Sequence, residues 1–562
     1  MEVDKTIQLF SGKNAIPDDL YQLNYLEIIC EFNRIPTALI RLAETNKESE
    51  DKFKLSNEGH FDPGKELKIK TNSKTLFQGI ITKLDIKSKV KGTWICLALK
   101  SNAVKLTTTR QSMIYKEKSD TEIIKEILKD NSINIANEVD TIYKHKEMIQ
   151  YYTSDWDFIM NRLQANGLFA YIDSEDGFNF FEPKSSGDIQ KKFSLNQEKD
   201  QQMIDTLEAN SDIITQHKNI ESLTWNPDEQ AIEEVKSNDN FSESPSFLEE
   251  VFDKLEIDGK PNKLSLINSA SLAPEETKAW VEGRLKQERL SLRRYRVQIK
   301  GESDVKLGNL IEIDGLPNLF NGNTIVTGLR TQMGIGGSWT TQIQLGLPNK
   351  LFTEEVENIM DVPAAGLLPG IQGLHIGIVA QFQEDPEKKH RVPVNVLSFQ
   401  AGAEKKEYKT VWARLASLDA GNKRGIFFRP EPNDTVILGF INEDPRQAVI
   451  LGSIYTKNDQ LPFEISKDNA EKGIVTREGL SLCFNDKEQK IECATSEKNK
   501  VILDEKNKTI LINNEHNQNT IEFSKDGIVI KSGKNLEVTA GGDILIEAGG
   551  EVKIKGNKVD VS

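Results

Sequence analysis

Over the last thirty residues, GKNLEVTAGGDILIEAGGEVKIKGNKVDVS, apolar and polar positions alternate in units of eight. Gly533, Gly541 and Gly549 recur at that spacing, and the pairs Leu536/Val538, Ile544/Ile546 and Val552/Ile554 follow each glycine. A shortened last copy carries Asn557, Val559 and Val561. Each unit predicts a short strand with one apolar face, ended by a glycine corner. A single strand is not stable, and a lone hairpin barely is. The repeat therefore implies a partner outside its own unit.

Upstream, the pattern changes period. Residues 1 to about 105 predict strands, with KELKIKT and LFQGIITKLDI alternating between polar turns. SDTEIIKEILKDN predicts a helix, with Ser119 and Glu122 as a capping box and Ile123, Ile124, Ile127 and Leu128 as its stripe. SDWDFIMNRLQANG predicts a second, capped by Ser154 and ended by Gly167. APEETKAWVEGRLKQERLSL predicts a third, with Pro274 in its first turn. Strands resume from RYRVQIKGESDVKLGNLIEIDG to about residue 350. Residues 351–370 are rich in Pro and Gly and predict a linker. Residues 371–456 predict a further strand-rich unit, and 457–477 a second linker. From 478 a longer repeat of strand, turn and strand sets Phe484, Leu503 and Phe523 nineteen and twenty residues apart, and the octads then take over. The final 85 residues thus predict one repetitive element.

Length and composition set bounds on this picture. A chain of 562 residues exceeds a single core and predicts several domains. No apolar run approaches the about 18 residues that cross a bilayer. MEVDKTIQLF has no signal-peptide pattern, which leads us to expect synthesis and assembly in the cytoplasm. Cys30, Cys96, Cys483 and Cys493 are scattered, so neither a disulfide framework nor a zinc site is expected. The formal charge of −15 disfavours nucleic acid as a partner.

An eight-residue unit supplies one strand and one corner, too little for a single-chain β-helix that must turn around three faces. Three chains, each supplying one face per layer, close a triangular prism without sheet edges. In that arrangement Leu536, Val538, Ile544, Ile546, Val552 and Ile554 form the trimer core, and Gly533, Gly541 and Gly549 the corners. An ordinary β-meander is the simpler alternative, although it does not require glycine at fixed octads.

These octads resemble the needle of the valine-glycine repeat (VgrG) family of contractile injection spikes and its phage relatives. GIFFRPEPNDTVILGFINEDPRQAVILGSIYT is similar to the family's small oligonucleotide/oligosaccharide-binding (OB) barrel. The features that carry this likeness are Phe428, Pro430, Asp434, Gly439, Phe440, Asp444, Pro445, Arg446, Gly452 and Tyr455. YYTSDWDFIMNRLQANGLFAY resembles the signature of the family's hub, on Ser154, Asp155, Phe158, Arg162, Leu163 and Gly167. The resemblance implies a mainly β chain with minor α content. Its expected parts are a hub over 1–350 (a barrel to about 105, a helical insert over 106–214 and a second barrel over 215–350), an OB-fold barrel over 371–456, and a trimeric β-helix needle over 478–562. It further implies a homotrimer whose hub abuts a hexameric inner tube and baseplate proteins, with possible effector cargo. In related spikes a conical PAAR-repeat protein covers the tip, so Val559, Asp560, Val561 and Ser562 are expected to dock it.

The remaining signals are weak. GIGGSW at 334–339 predicts a hairpin turn rather than a phosphate loop. Arg284, Lys286, Arg289, Arg293, Arg294 and Arg296 predict a solvated face. The six histidines have no metal-ligand spacing. The gap after the small barrel is too short for the lysozyme that some phage spikes carry, and no effector follows the needle. We therefore expect a structural spike that pierces a target envelope, with no catalytic residue, cofactor or metal. The alternative is a β-helix carbohydrate-binding or carbohydrate-active protein. After Phe523 the octads offer no aromatic face for it. A trimeric tail-fibre adhesin would usually end in a knob.

Overall fold

The computed structural model describes residues 7–561, apart from 18, 45–56, 58, 72–73, 90–91, 196–203, 227–228, 239–246, 255–261, 269–271, 302–303, 335–337, 357–358, 361–362, 397–398 and 400–409. The chain divides into two units, Met1–Val362 and Pro363–Ser562.

The first unit is organised by one 13-stranded sheet with two cores. Tyr21–Glu31, Thr37–Glu44, Glu66–Lys70, Thr75–Lys89 and Gly92–Lys100 surround a core that includes Leu26, Ile40, Leu67, Phe77 and Leu97. Ile204–Ser211, Arg293–Lys300, Leu310–Asp314, Gly322–Met333 and Trp339–Leu345 surround another, with Val297, Ile311, Val326 and Ile343. Alternation drives each strand: in Thr75–Lys89 the odd positions Thr75, Phe77, Gly79 and Ile81 are buried. The halves join where Gly322–Met333 pairs with Tyr21–Glu31, from Gly328 opposite Glu31 to Met333 opposite Leu26.

Helices fill a third core. Helix α1, Asp120–Asp130, begins at the expected capping box. The Glu122 amide donates to Ser119 Oγ (3.3 Å), and the Ser119 amide donates to Glu122 Oε2 (2.8 Å). Helix α2, Asp155–Ala165, is capped by Ser154. They pack with the ribbon Arg110–Ser119/Lys144–Ser154 around Ile123, Ile127, Phe158 and Leu163. Helix α3, Phe247–Lys254, has no counterpart in the pattern reading. Helix α4, Pro274–Ser291, begins at the expected proline and lays Val281 and Leu285 on Ile220 of a three-stranded sheet formed by Asn219–Asn226, Ala231–Lys236 and Lys263–Asn268.

Three expected boundaries differ. Ile189–Ser194 and Ile204–Ser211 join the second half of the main sheet, so the helical insert ends before residue 189. The expected linker at 351–370 holds helix α5, Phe352–Glu355, whose Phe352 is buried in the helical core. Burial of one aromatic ties down a segment whose Pro and Gly content marks it as loose.

In the second unit a closed five-stranded barrel runs in the order His375–Val379, Val392–Val396, Thr410–Leu415, Ala448–Ser453, Thr435–Phe440. Val394, Val396, Val436, Leu438 and Ile450 fill it. A seven-stranded antiparallel sheet follows, in chain order from Glu471–Val475 to Gly527–Lys531. The third boundary difference lies here, because Glu471–Val475 falls inside the expected second linker. The expected single repetitive element also divides. Repeats of nineteen to twenty residues encode two strands each, which pair within the chain as a meander. An octad encodes one strand, and residues 532–561 carry no strand pairing with the described residues.

Candidate functional site

The meander's register sorts its side chains onto two faces. Ile474, Leu482, Cys493, Val501, Ile512, Ile521 and Ile530 stand opposite one another across successive strands. Two residues along each strand, Phe484, Ile491, Leu503, Ile510, Phe523 and Ile528 form a second row on that face, entered by Lys472. The spacing of Phe484, Leu503 and Phe523 in the sequence is thus the return of alternate strands to one row. The other face is mixed, with Glu492, Ile502, Leu511 and Glu522 in one row and Ala494, Lys500, Asn513 and Thr520 in the next. Lys490 and Lys500 flank Glu492 there, at 2.9 and 3.1 Å.

The apolar face is open. Apart from the half-buried Leu482 and Ile521, its large side chains keep from 38% (Ile491) to 65% (Ile528) of their surface accessible, and an open trough of about 950 Å³ runs along the Ile474–Ile530 row. A contiguous apolar patch of this size marks an interaction surface rather than ordinary exterior. The octads continue it, with Leu536, Val538, Ile544, Ile546, Val552 and Ile554 all at least half exposed. At the first corner the Gly533 amide donates to Asn519 Oδ1 (3.0 Å), and a Cβ there would meet the Asn517 carbonyl oxygen at 2.6 Å. Gly541 and Gly549 meet nothing within 4 Å. Val559, Asp560 and Val561 are exposed, with Asp560 accepting from Lys558 Nζ (2.5 Å); Ser562 lies outside the described residues.

The hub signature residues lie along helix α2, with polar contacts at both of its ends and apolar residues between them. Ser154 Oγ accepts from the Asp157 amide (3.1 Å). The Asp155 carboxylate accepts from Gln111, Gln150 and Asn131 (2.5, 2.8 and 3.0 Å). Arg162 forks onto Asp120 (2.7 and 2.9 Å) and reaches Glu276 of α4 (3.1 Å). Burial alone raises the Asp120 pKa, but the hydrogen bonds from His145, Arg162 and Asn166 outweigh it and hold the carboxyl well below the usual range. Phe158 stacks on Tyr115, and Leu163 is in the core. Gly167, at φ +65°, is so close to α4 that a Cβ would lie 2.5 Å from the Gly283 Cα. These contacts lock α1, α2 and α4 together.

In the barrel, Pro430 and Asp444 are buried, while Phe428 and Tyr455 are exposed. Asp444 accepts from the Arg446 amide (2.8 Å) and guanidinium (2.6 Å), so Asp-Pro-Arg is a turn with Pro445 at its centre. Asp434 Oδ2 accepts from the Glu431 amide (2.9 Å). Phe440 meets His375 edge-on, Leu451 covers Gly439, and Gly452 has open space around it. The expected solvated arginine face is a correction: Arg289 is buried, donating to the His217 carbonyl (2.8 Å), and Arg284 lies 3.5 Å from buried Glu288. Of GIGGSW, residues 335–337 lie outside the described residues. Among the described residues, no group of His, Cys, Asp and Glu side chains is placed to hold a metal, and no helix is long and apolar enough to cross a membrane.

The chain thus combines a two-core sheet, a small closed barrel and a repetitive apolar-faced strand array. Residues 4–334 match the family described as the Alg8 N-terminal domain, and residues 375–455 match the type VI secretion system/phage-baseplate injector OB domain. The chain belongs to the Alg8 N-terminal domain family and carries a type VI secretion system/phage-baseplate injector OB domain. No curated protein matches its sequence. Among solved structures it is similar to a tail protein from Neisseria meningitidis MC58 (10% identity, 62% of this chain and 98% of that one, TM-score 0.46). It is also similar to the E. coli c3393 protein, a component of the type VI secretion system (14%, 79% and 99%, 0.40). A further similar structure is the half-lidded Francisella PdpA-VgrG complex (9%, 94% and 88%, 0.39).

Proposed function

We propose that three copies of this chain form the central hub and spike of a contractile injection machine, joining the inner tube to the tip and piercing a target envelope when the sheath contracts. The observation that carries this reading is the open apolar face of the meander, continued by the octads. A soluble chain buries such a face, and three copies facing one axis bury it symmetrically without leaving sheet edges. On this reading Gly533, Gly541 and Gly549 turn the chain between layers spaced by about 4.8 Å. The hub's two strand-rich halves, taken three times, present six similar elements to a hexameric tube and to baseplate proteins, and effectors travel as cargo. The end of the chain docks a PAAR-type cone. The protein is made and assembled in the cytoplasm and acts outside it. The work is mechanical, so the chain has no chemical step, cofactor or metal of its own.

Light scattering on the purified full chain tests this. A mass of three chains at micromolar concentration is expected. A folded monomer overturns the reading, because the apolar face is then stable in water.

A further inference from the structure

After Trp339–Leu345, the last strand of the main sheet, the chain crosses the hub as a strap, Leu347–Val356. The root of the strap is firm. Leu347 is buried with Val297 and Ile343, and its amide donates to the Leu290 carbonyl (3.1 Å). Beyond Leu347, side chains from three hub segments hold it. Gln287 of α4 donates to the Pro348 and Lys350 carbonyls (3.1 and 3.0 Å). Gln164 of α2 accepts from the Phe352 amide (3.0 Å). Arg34 meets Glu355 at 3.3 Å, in an exposed pair that contributes little. The strap's own turn closes where the Glu354 and Glu355 amides donate to the Leu351 carbonyl and the Val356 amide donates to the Phe352 carbonyl. Its deepest apolar contact is Phe352, buried in the helical core, with Val356 half-buried against the same cluster.

Beneath the strap the packing is open. A cavity of about 180 Å³ separates it from the hub, lined by Asn33, Gln164, Gln287 and Gln344 on one side and by Pro348 and Phe352 on the other. At about 30 Å³ each, this space holds several waters. The bonds that cross it end on amide and carbonyl groups, which water satisfies when they part. Segments with few buried apolar contacts open at a lower free energy than the cores around them.

We propose that the strap is a releasable clamp: residues 348–356 lift off as a unit about Leu347, with Phe352 as the latch, while the sheet and helices α1, α2 and α4 stay folded. Release frees about 30 Å of extended chain ahead of the second unit, which begins at Pro363. Under load that slack lengthens the tether without unfolding either unit. The clamp stands on the contacts above, and it holds or fails separately from the proposed function.

Hydrogen exchange read by mass spectrometry on the full chain tests this. Amides at 352–356 are expected to exchange faster than those in Arg293–Lys300 and Asp155–Ala165. Phe352→Ala should speed exchange at 353–356 by about tenfold or more and leave both reference segments unchanged. Gln287→Ala is the sharper variant, because the bonds it removes end at Pro348 and Lys350. A unit that lifts together still exchanges several-fold faster at 352–356 in that variant. Unchanged exchange at 352–356 in Gln287→Ala would show that the strap frays locally and is not a clamp. Equal acceleration of strap and reference segments, or a Phe352→Ala chain that fails to fold, would make the strap part of the hub's global fold. Each of these results overturns the proposal. The assembled mass by light scattering is a separate readout, so none of them decides the functional reading.

Discussion

Val501 stands directly opposite Ile512 in the meander, and both project from its open apolar face. Their neighbours Lys500 and Asn513 stand opposite each other on the other face. Placing aspartate at 501 or 512 would set three like charges together at the proposed axis. Each uncompensated buried charge costs several kcal/mol, and threefold symmetry multiplies the cost. Val501→Asp and Ile512→Asp are expected to dissociate or aggregate the protein, while Asn513→Asp leaves it intact. Equal thermal midpoints for the three variants would show that the apolar face is not buried in the assembly.

The same contrast applies along the octads. Ile544→Asp and Ile546→Asp are expected to lower the melting temperature sharply and Leu545→Asp mildly, because Leu545, at 83%, is the most exposed of the three. Indistinguishable melts would mean that the octads have no inward and outward positions, and a larger loss in Leu545→Asp would mean that the two are exchanged.

Gly167 and Gly283 form the closest backbone approach in the hub signature. A Cβ on Gly167 would meet the Gly283 Cα at 2.5 Å, and one on Gly283 would meet Gly167 at 2.6 Å. Gly167→Ala adds a left-handed φ to this clash, and we expect a loss of about 1–3 kcal/mol from overpacking alone. Asparagine tolerates the φ but not the contact. Gly167→Asn should therefore fail to recover stability in urea denaturation. Full recovery by asparagine would assign the effect to the turn and not to the approach of α4.

How much of this fold is legible in the sequence depends on how local each signal is. Ser119 with Glu122, Ser154 with Asp157, and Pro274 act within one turn, and the helix starts are legible from them. The row of Phe484, Leu503 and Phe523 is visible because strand-and-turn length fixes its period. Arg284 and Arg289 mislead because their burial depends on Glu288 and on Gln216 and His217, from a segment about seventy residues away. Helix α3 is short, and its Phe252 is buried with Leu248 by Leu292 from a distant helix end.

Asp120 gives the hub a pH dependence of known sign. Its folded pKa lies below its unfolded value of about 3.9. The stabilisation it provides is therefore full at neutral pH and is lost as pH falls through the unfolded value toward the folded one. Asp120→Asn removes this component and leaves Arg162 with Glu276. Breaking a buried pair of this kind costs about 3–5 kcal/mol, and the retained Glu276 places the expected loss at the low end. Denaturation of the wild type between pH 6 and pH 3 should show the steeper fall, with the variant flatter. Parallel curves would mean that other carboxylates dominate acid sensitivity.

At the end of the chain Val559 and Val561 are exposed on either side of Asp560, which is held by Lys558. Three copies of this segment brought together would set Val559 and Val561 around one axis as a small apolar face, and exposed apolar faces mark interaction sites. On the proposed reading, a cone-shaped PAAR-type partner would cover such a face by backbone pairing and a small apolar contact. Removing residues 557–562 eliminates both of these while leaving every apolar pair from Leu536 to Ile554 in place. The truncated protein is expected to keep its trimeric mass and lose capture of the cone protein in a pull-down. Val559→Asp/Val561→Asp in the full-length chain should reduce capture without shortening the backbone, which separates the apolar contact from edge pairing. Undiminished capture by the truncated protein would place the docking surface elsewhere on the spike.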